Sequence, residues 1–176
     1  MAEFFEPNNL AELVIGLSSS RQHIQALVNG IIPFPSAKTG ICLYGPYASG
    51  KTAAARALPA IFESAGKLRP TVMAGNQLYS KPDYVSELGC TSLGLPELTG
   101  AVRKPARMDG QFSGSGYRWL ILNEFDQLTV HAQAGMKALM EEKGNFTLFI
   151  LTTNNRNIDG GVISRSHMIE MAPPLP

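Results

Sequence analysis

GPYASGKT, residues 45–52, decides how the rest of the chain is read. It fits G-x-x-x-x-G-K-[ST], the spacing of a phosphate-binding loop, and each fixed position has a physical reason. A strand ends at Gly45, the chain turns back, and a helix starts near Lys51. The main-chain N–H groups from Ala48 to Thr52 then converge on phosphate oxygens, aided by the positive end of the helix. Gly50 lets the backbone approach the anion closely. Lys51 brings a mobile positive charge to the β and γ phosphates, and Thr52 offers a hydroxyl to Mg²⁺. The expected nucleotide contacts are therefore Gly45, Pro46, Tyr47, Ala48, Ser49, Gly50, Lys51, Thr52 and Ala53. The competing reading is a glycine-rich turn with an incidental lysine. The flanks argue against it, because an apolar strand (GICLY, 40–44) precedes the loop and an alanine-rich helix (51–64) follows.

Outward from the loop, short apolar runs alternate with helical stretches, the pattern of a parallel sheet with crossover helices. RWLIL (118–122) and TLFILTT (147–153) are apolar without alternation and read as central strands buried on both faces. TVMA (71–74) is a weaker strand and 168–171 a last one, which gives five. Helices are expected at 129–142, capped by Thr129, and at 96–103. A short helix near 10–14 and a longer one near 19–28 lie ahead of the first strand. The remainder of 79–116 is rich in glycine and proline and reads as irregular, with 108–116 an exposed loop.

A second group of candidates follows the 118–122 strand, where Asn123, Glu124 and Asp126 emerge at its C-terminal end. Ligand chemistry in open α/β sheets takes place at that edge. Glu124 is placed to polarise an attacking water; the alternative is a solvated acid at a strand end. Asn154, after the 147–153 strand, has an amide able to hold the same water or touch the γ-phosphate, but Asn154 and Asn155 fit a turn equally well.

Composition allows one soluble globular domain. The chain has 176 residues, 44% hydrophobic and 16% charged, with a net charge of +1. That balance gives no global case for nucleic-acid binding, so any DNA contact needs a local basic patch. Arg103, Lys104 and Arg107 form one, and it reads equally as a solvated basic face. The two cysteines, Cys42 and Cys90, make neither a metal cluster nor a disulfide framework, and His23, His131 and His167 are scattered. Met136, Leu139 and Met140 read as core. The N-terminus lacks the basic and apolar regions of a signal peptide, and no stretch approaches a membrane span. The expected location is the cytoplasm, or the host cytoplasm for a viral source.

Taken in order, GPYASGKT, ILNEFDQLTVHAQAGMKALMEE, FILTTNN and ISRSHMIEM resemble the replication clamp-loader ATPase subunits of the AAA+ class, in particular the small subunits of phage, archaeal and eukaryotic loaders. The likeness runs from about Pro7 to Met171 and is strongest after Trp119; 79–116 matches poorly. It implies a three-layer P-loop NTPase sandwich on a mainly parallel five-stranded sheet, ATP as ligand, and ATP hydrolysis. It also implies a ring of AAA+ subunits acting on DNA and on a sliding clamp. Position by position, Lys51 and Thr52 look like the Walker A pair and Glu124 like the Walker B glutamate. Asn154 looks like the sensor-1 amide, and Arg165, in SRS, like the arginine that reaches the neighbouring subunit's ATP in trans. Leu13, Val14 and Ile15 resemble the segment that cradles adenine. The resemblance divides the chain into an N-terminal helical segment (1–38), the ATPase core (39–172) and the start of a linker (173–176).

Two departures stand out. Asn123 occupies the place of an aspartate that helps hold the Mg²⁺ shell, usually through water; an amide there should weaken metal affinity, and restoring aspartate should raise activity if a poorly hydrolysing state comes from that one position. In relatives a helical lid and collar follow the last strand, whereas this chain stops at APPLP (172–176), where their linker would begin, either as a truncated piece or as a naturally minimal ATPase; loss of the lid should weaken nucleotide affinity and ring formation. A non-hydrolysing, nucleotide-gated scaffold is therefore the rival to an active motor. Helicase-loader and transposition ATPases share the motifs. A small-molecule kinase is poorly supported, because nothing in 79–116 looks like an acceptor-binding lid.

Overall fold

The computed structural model describes residues 10–69, 85–103, 115–142 and 146–173. Five strands form one sheet: β1 (Gly40–Tyr44), β2 (Val85–Gly89), β3 (Arg118–Asn123), β4 (Thr147–Thr153) and β5 (Ser166–Glu170). Every pairing is parallel and the order is β2-β3-β4-β1-β5. Helices α1 (Ser18–Val28) and α2 (Lys51–Ala65) cover one face. Helices α3 (Leu95–Arg103), α4 (Val130–Glu141) and α5 (Gly160–Ser164) cover the other.

Strand alternation divides the core in two. Ile41, Leu43, Trp119, Ile121 and Ile150 turn toward α1 and α2, where they meet Ile24, Leu58 and Phe62. Cys42, Leu120, Leu122, Phe149 and Leu151 turn toward α3, α4 and α5, where they meet Leu98, Met136, Leu139 and Val162. The uninterrupted apolar runs of β3 and β4 follow from burial on both sides. Met136, Leu139 and Met140 lie in the core as expected. Both cysteines are buried, and burial pushes each thiol up to about 12, so neither is a nucleophile near neutral pH.

Strand β4 and the ends of most helices fall where the sequence places them. Thr129 caps α4, its hydroxyl accepting the N–H of Ala132 at 3.1 Å. Strand β5 begins at Ser166, two residues earlier than expected. The larger difference is β2. The expected strand at 71–74 lies outside the described residues, and the sheet edge is formed by Val85–Gly89, inside a stretch read as irregular. Among the described residues VSELG pairs only with β3, and its side chains are half-buried or exposed, so it needs no apolar run. No helix among the described residues is long and apolar enough to cross a membrane.

Candidate functional site

The chain leaves β1 at Gly45, whose N–H donates to Thr153 O at 3.2 Å. Beside it the N–H of Met171, just past β5, donates to Tyr44 O at 2.7 Å. A Cβ on Gly45 would lie 2.0 Å from Met171 O, so only glycine fits this close approach. Gly50 is required for another reason. It has φ 82 and ψ 15, a left-handed conformation, and a Cβ there would meet nothing nearer than Val14 O at 4.0 Å. Ala48 also has positive φ, at 60°.

Helix α2 starts at once. Its first closing hydrogen bond runs from Ala54 N–H to Gly50 O at 2.9 Å. The N–H groups of Lys51, Thr52 and Ala53 therefore precede any intrahelical acceptor and carry the positive end of the helix dipole. They border a cavity of about 300 Å³ lined by residues 47–53, Glu124, Thr152, Thr153 and Asn154. The structure thus brings together the loop, Glu124 and Asn154, which lie far apart in sequence. Gly45 and Pro46 contribute differently, through their carbonyls. Lys51 Nζ folds back and donates to Gly45 O at 2.8 Å, Pro46 O at 2.6 Å and Ser49 Oγ at 3.3 Å. Ser49 itself donates to Pro46 O at 2.7 Å. Burial lowers the Lys51 pKa, and the negative charge of Asp126 partly offsets this. One carboxylate oxygen of Asp126 is buried with no hydrogen-bond partner among the described residues.

Glu124 follows the last residue of β3 with φ 56 and ψ 49. A left-handed conformation costs a non-glycine residue about 1–2 kcal/mol. The compensating contact is local: its N–H donates to Thr152 Oγ1 at 3.1 Å. Thr152 was not among the expected site residues. A hydroxyl at the penultimate position of β4, next to the strand that carries Glu124, is the signal that would have found it.

The remaining candidates fall elsewhere. Asn123 is not among the cavity-lining residues; its amide spans Glu87 and Thr152. Arg165 lies just after α5, where it is ion-paired with Glu141 and reaches Ala37 O at 3.5 Å. Arg103, the last residue of α3, is paired with Glu142, while Lys104 and Arg107 lie outside the described residues. The segment Leu13, Val14 and Ile15 passes close to the loop, with Val14 O facing Gly50. Arg21 pins it by donating to Leu13 O at 3.0 Å and Leu10 O at 3.1 Å. Gly16 then packs so closely that a Cβ would lie 2.5 Å from Ala172 O.

The donor set fits a nucleoside triphosphate. The N–H groups at the start of α2 border a cavity that Lys51, Glu124 and Asn154 also line. It also fits magnesium at the Thr52 hydroxyl, which lines the same cavity, whereas the Asn123 side chain is engaged with protein groups.

No family model and no curated protein matches the sequence. Solved structures do match in fold. A DNA polymerase III gamma subunit-related protein of Thermotoga maritima superposes with a TM-score of 0.62 at 15% identity, over 86% of this chain and 46% of its own. The RuvB Holliday junction branch migration motor of the same organism gives 0.60 at 14%, over 94% and 48%. PCH-2 of C. elegans gives 0.62 at 14%, over 94% and 46%. The chain spans about half the length of these structures. It has the α/β fold of the AAA+ P-loop nucleoside triphosphatases, built on their five-stranded parallel sheet.

Proposed function

We propose that the chain is an ATP-binding AAA+ ATPase subunit of the clamp-loader type, which couples ATP binding and hydrolysis to assembly on DNA in replication. The observation that carries this reading is one cavity in which the 45–52 loop, Glu124 and Asn154 meet. The N–H groups at the start of α2 bind the triphosphate oxygens, and Lys51 exchanges the loop carbonyls for the β and γ phosphates. Glu124 orients the attacking water and accepts its proton as the new oxygen–phosphorus bond forms and the bond from the γ-phosphorus to the β–γ bridging oxygen breaks, with ADP leaving. The Asn154 amide holds that water in line or senses the γ-phosphate. Thr52 would hold magnesium together with the nucleotide, and the ion would supply positive charge to the phosphates. The backbone of Leu13 to Ile15 receives the adenine.

Arg165 acts on the ATP of a neighbouring subunit, where its charge meets the charge developing on the transferred phosphoryl group. A lone subunit then binds ATP and turns it over slowly, and ring assembly completes the site. Arg103, Lys104 and Arg107 follow DNA phosphates without reading sequence, and a sliding clamp is the expected protein partner. Two structural neighbours, a DNA polymerase III gamma-related protein and a Holliday junction branch migration motor, support a DNA-associated role. A weakly hydrolysing, nucleotide-gated scaffold is the second reading, favoured by the uncharged side chain at 123.

The test is a titration with a fluorescent ATP analogue, followed by ATP turnover at several protein concentrations, with and without primed DNA. Binding should be lost in Lys51→Ala, and unchanged affinity in that variant would overturn the phosphate-site assignment. A rate per subunit that rises with concentration supports the motor. Tight binding without turnover under every condition supports the scaffold.

A further inference from the structure

The amide at position 123 has both ends engaged. Asn123 Nδ2 donates to Oε1 of Glu87, on the neighbouring strand β2. Its Oδ1 accepts from the Thr152 hydroxyl, on β4, at 3.1 Å. Glu87 in turn accepts from Arg56 of α2, with Nε at 3.0 and 3.1 Å from its two oxygens. Thr152 Oγ1 accepts the main-chain N–H of Glu124 at 3.1 Å. Sheet register explains the meeting. Glu87 pairs with Ile121, Ile121 and Asn123 share a face of β3, and that face is turned toward α2.

The chain of bonds is directional. An ionised carboxylate only accepts, an asparagine amide donates at one end and accepts at the other, and a hydroxyl does both. Opposite Glu87, an amide at 123 satisfies every group in the line. An aspartate there would set two carboxylates against each other within hydrogen-bonding reach, with no donor between them. The expectation that aspartate at 123 restores activity is therefore reversed by the neighbour on β2.

We propose that Glu87 is a positioning residue of the site: anchored by Arg56, it holds the Asn123 amide, and through Asn123 and Thr152 it fixes the main chain at Glu124. Asn123 is then the partner that Glu87 requires. The Arg56–Glu87 pair is largely exposed, at 58% and 31% of the two side chains, so it adds little to stability. Its contribution is geometric, which separates it from a purely structural role. The proposal rests on Glu124 being the water-orienting acid.

The experiment compares Glu87→Gln, Asn123→Asp and the double variant by three readouts: affinity for a fluorescent ATP analogue, ATP turnover, and hydrogen exchange of the Glu124 amide by NMR. Asn123→Asp should lower turnover roughly tenfold and speed Glu124 exchange by a similar factor, with affinity changed by no more than about twofold. Glu87→Gln should do less, because its side-chain carbonyl still accepts. The double variant should recover most of both losses, since the introduced amide can donate to the introduced carboxylate. Independent, additive effects would overturn the proposal, and so would faster turnover in Asn123→Asp. Glu124 exchange that no variant alters would overturn it whether or not turnover is measurable. Failure of the underlying site shows separately, as Lys51→Ala retaining nucleotide.

Discussion

The main-chain N–H of Glu124 and the hydroxyl of Thr152 are joined at 3.1 Å, across two adjacent strands of the sheet. The bond ties a left-handed residue at the end of β3 to the next-to-last residue of β4. Thr152→Val keeps the shape and removes the acceptor. It should cost about 1–2 kcal/mol in chemical denaturation, because a constrained N–H loses its partner. Turnover should fall further than nucleotide affinity. A variant as active and as stable as the parent would show that Thr152 does not hold Glu124.

Glu124→Gln should leave nucleotide affinity close to that of the parent and reduce turnover by about 10²–10⁴-fold, the usual contribution of a positioned acid or base. The side chain lines the cavity but is exposed, so its replacement should leave the unfolding midpoint unmoved. Parallel binding and single-turnover measurements test this, and full activity would remove Glu124 from the mechanism.

Arg165 and Glu141 are paired within one subunit, on the α4–α5 side of the sheet. For Arg165 to serve a neighbouring site, this pair must open or be shared at the interface. Arg165→Ala should abolish the rise of rate with protein concentration while leaving the dilute rate intact. Glu141→Gln should retain that rise and shift it to lower concentration. Identical concentration dependence in all three proteins would count against action in trans.

His167, on β5, is packed against Phe34 and His23 with ring centroids 5.8 and 5.5 Å apart. Burial, with the charges of Lys38 and His23, lowers its pKa to about 4. Because the folded value lies below the ordinary 6.5, folding favours the neutral ring. Its contribution is complete above pH 6.5 and is lost as pH falls from there toward 4. Unfolding midpoints measured from pH 7 to 4 should fall less steeply in His167→Phe than in the parent; superimposable profiles would assign the acid sensitivity to other groups.

The parts of the site legible in sequence are those set by short-range chemistry. The 45–52 loop is read from one contiguous stretch, since its shape is set by glycines and main-chain groups between a strand and a helix. Glu124 and Asn154 are read from the ends of apolar strands. What the sequence hides is lateral. Strand β2 is polar enough to look like a loop, because an edge strand gains its order from one neighbour and needs no apolar pattern. Glu87 goes unnoticed with it, and so does the reason for an amide at 123. Likewise nothing in the neighbourhood of Arg21 announces that it pins Leu10 and Leu13 beside the loop. Arg103, the first residue of the basic cluster, is already paired with Glu142.

The missing side chain at Gly45 has a mechanical meaning. Where the phosphate loop departs from β1, the chain leaving β5 presses against it, backbone on backbone, with Met171 bonded to Tyr44. There is no compressible group between them to take up play. A displacement of the segment after β5 should therefore be felt at the first residue of the 45–52 loop, because no side chain lies between the two backbones to absorb it.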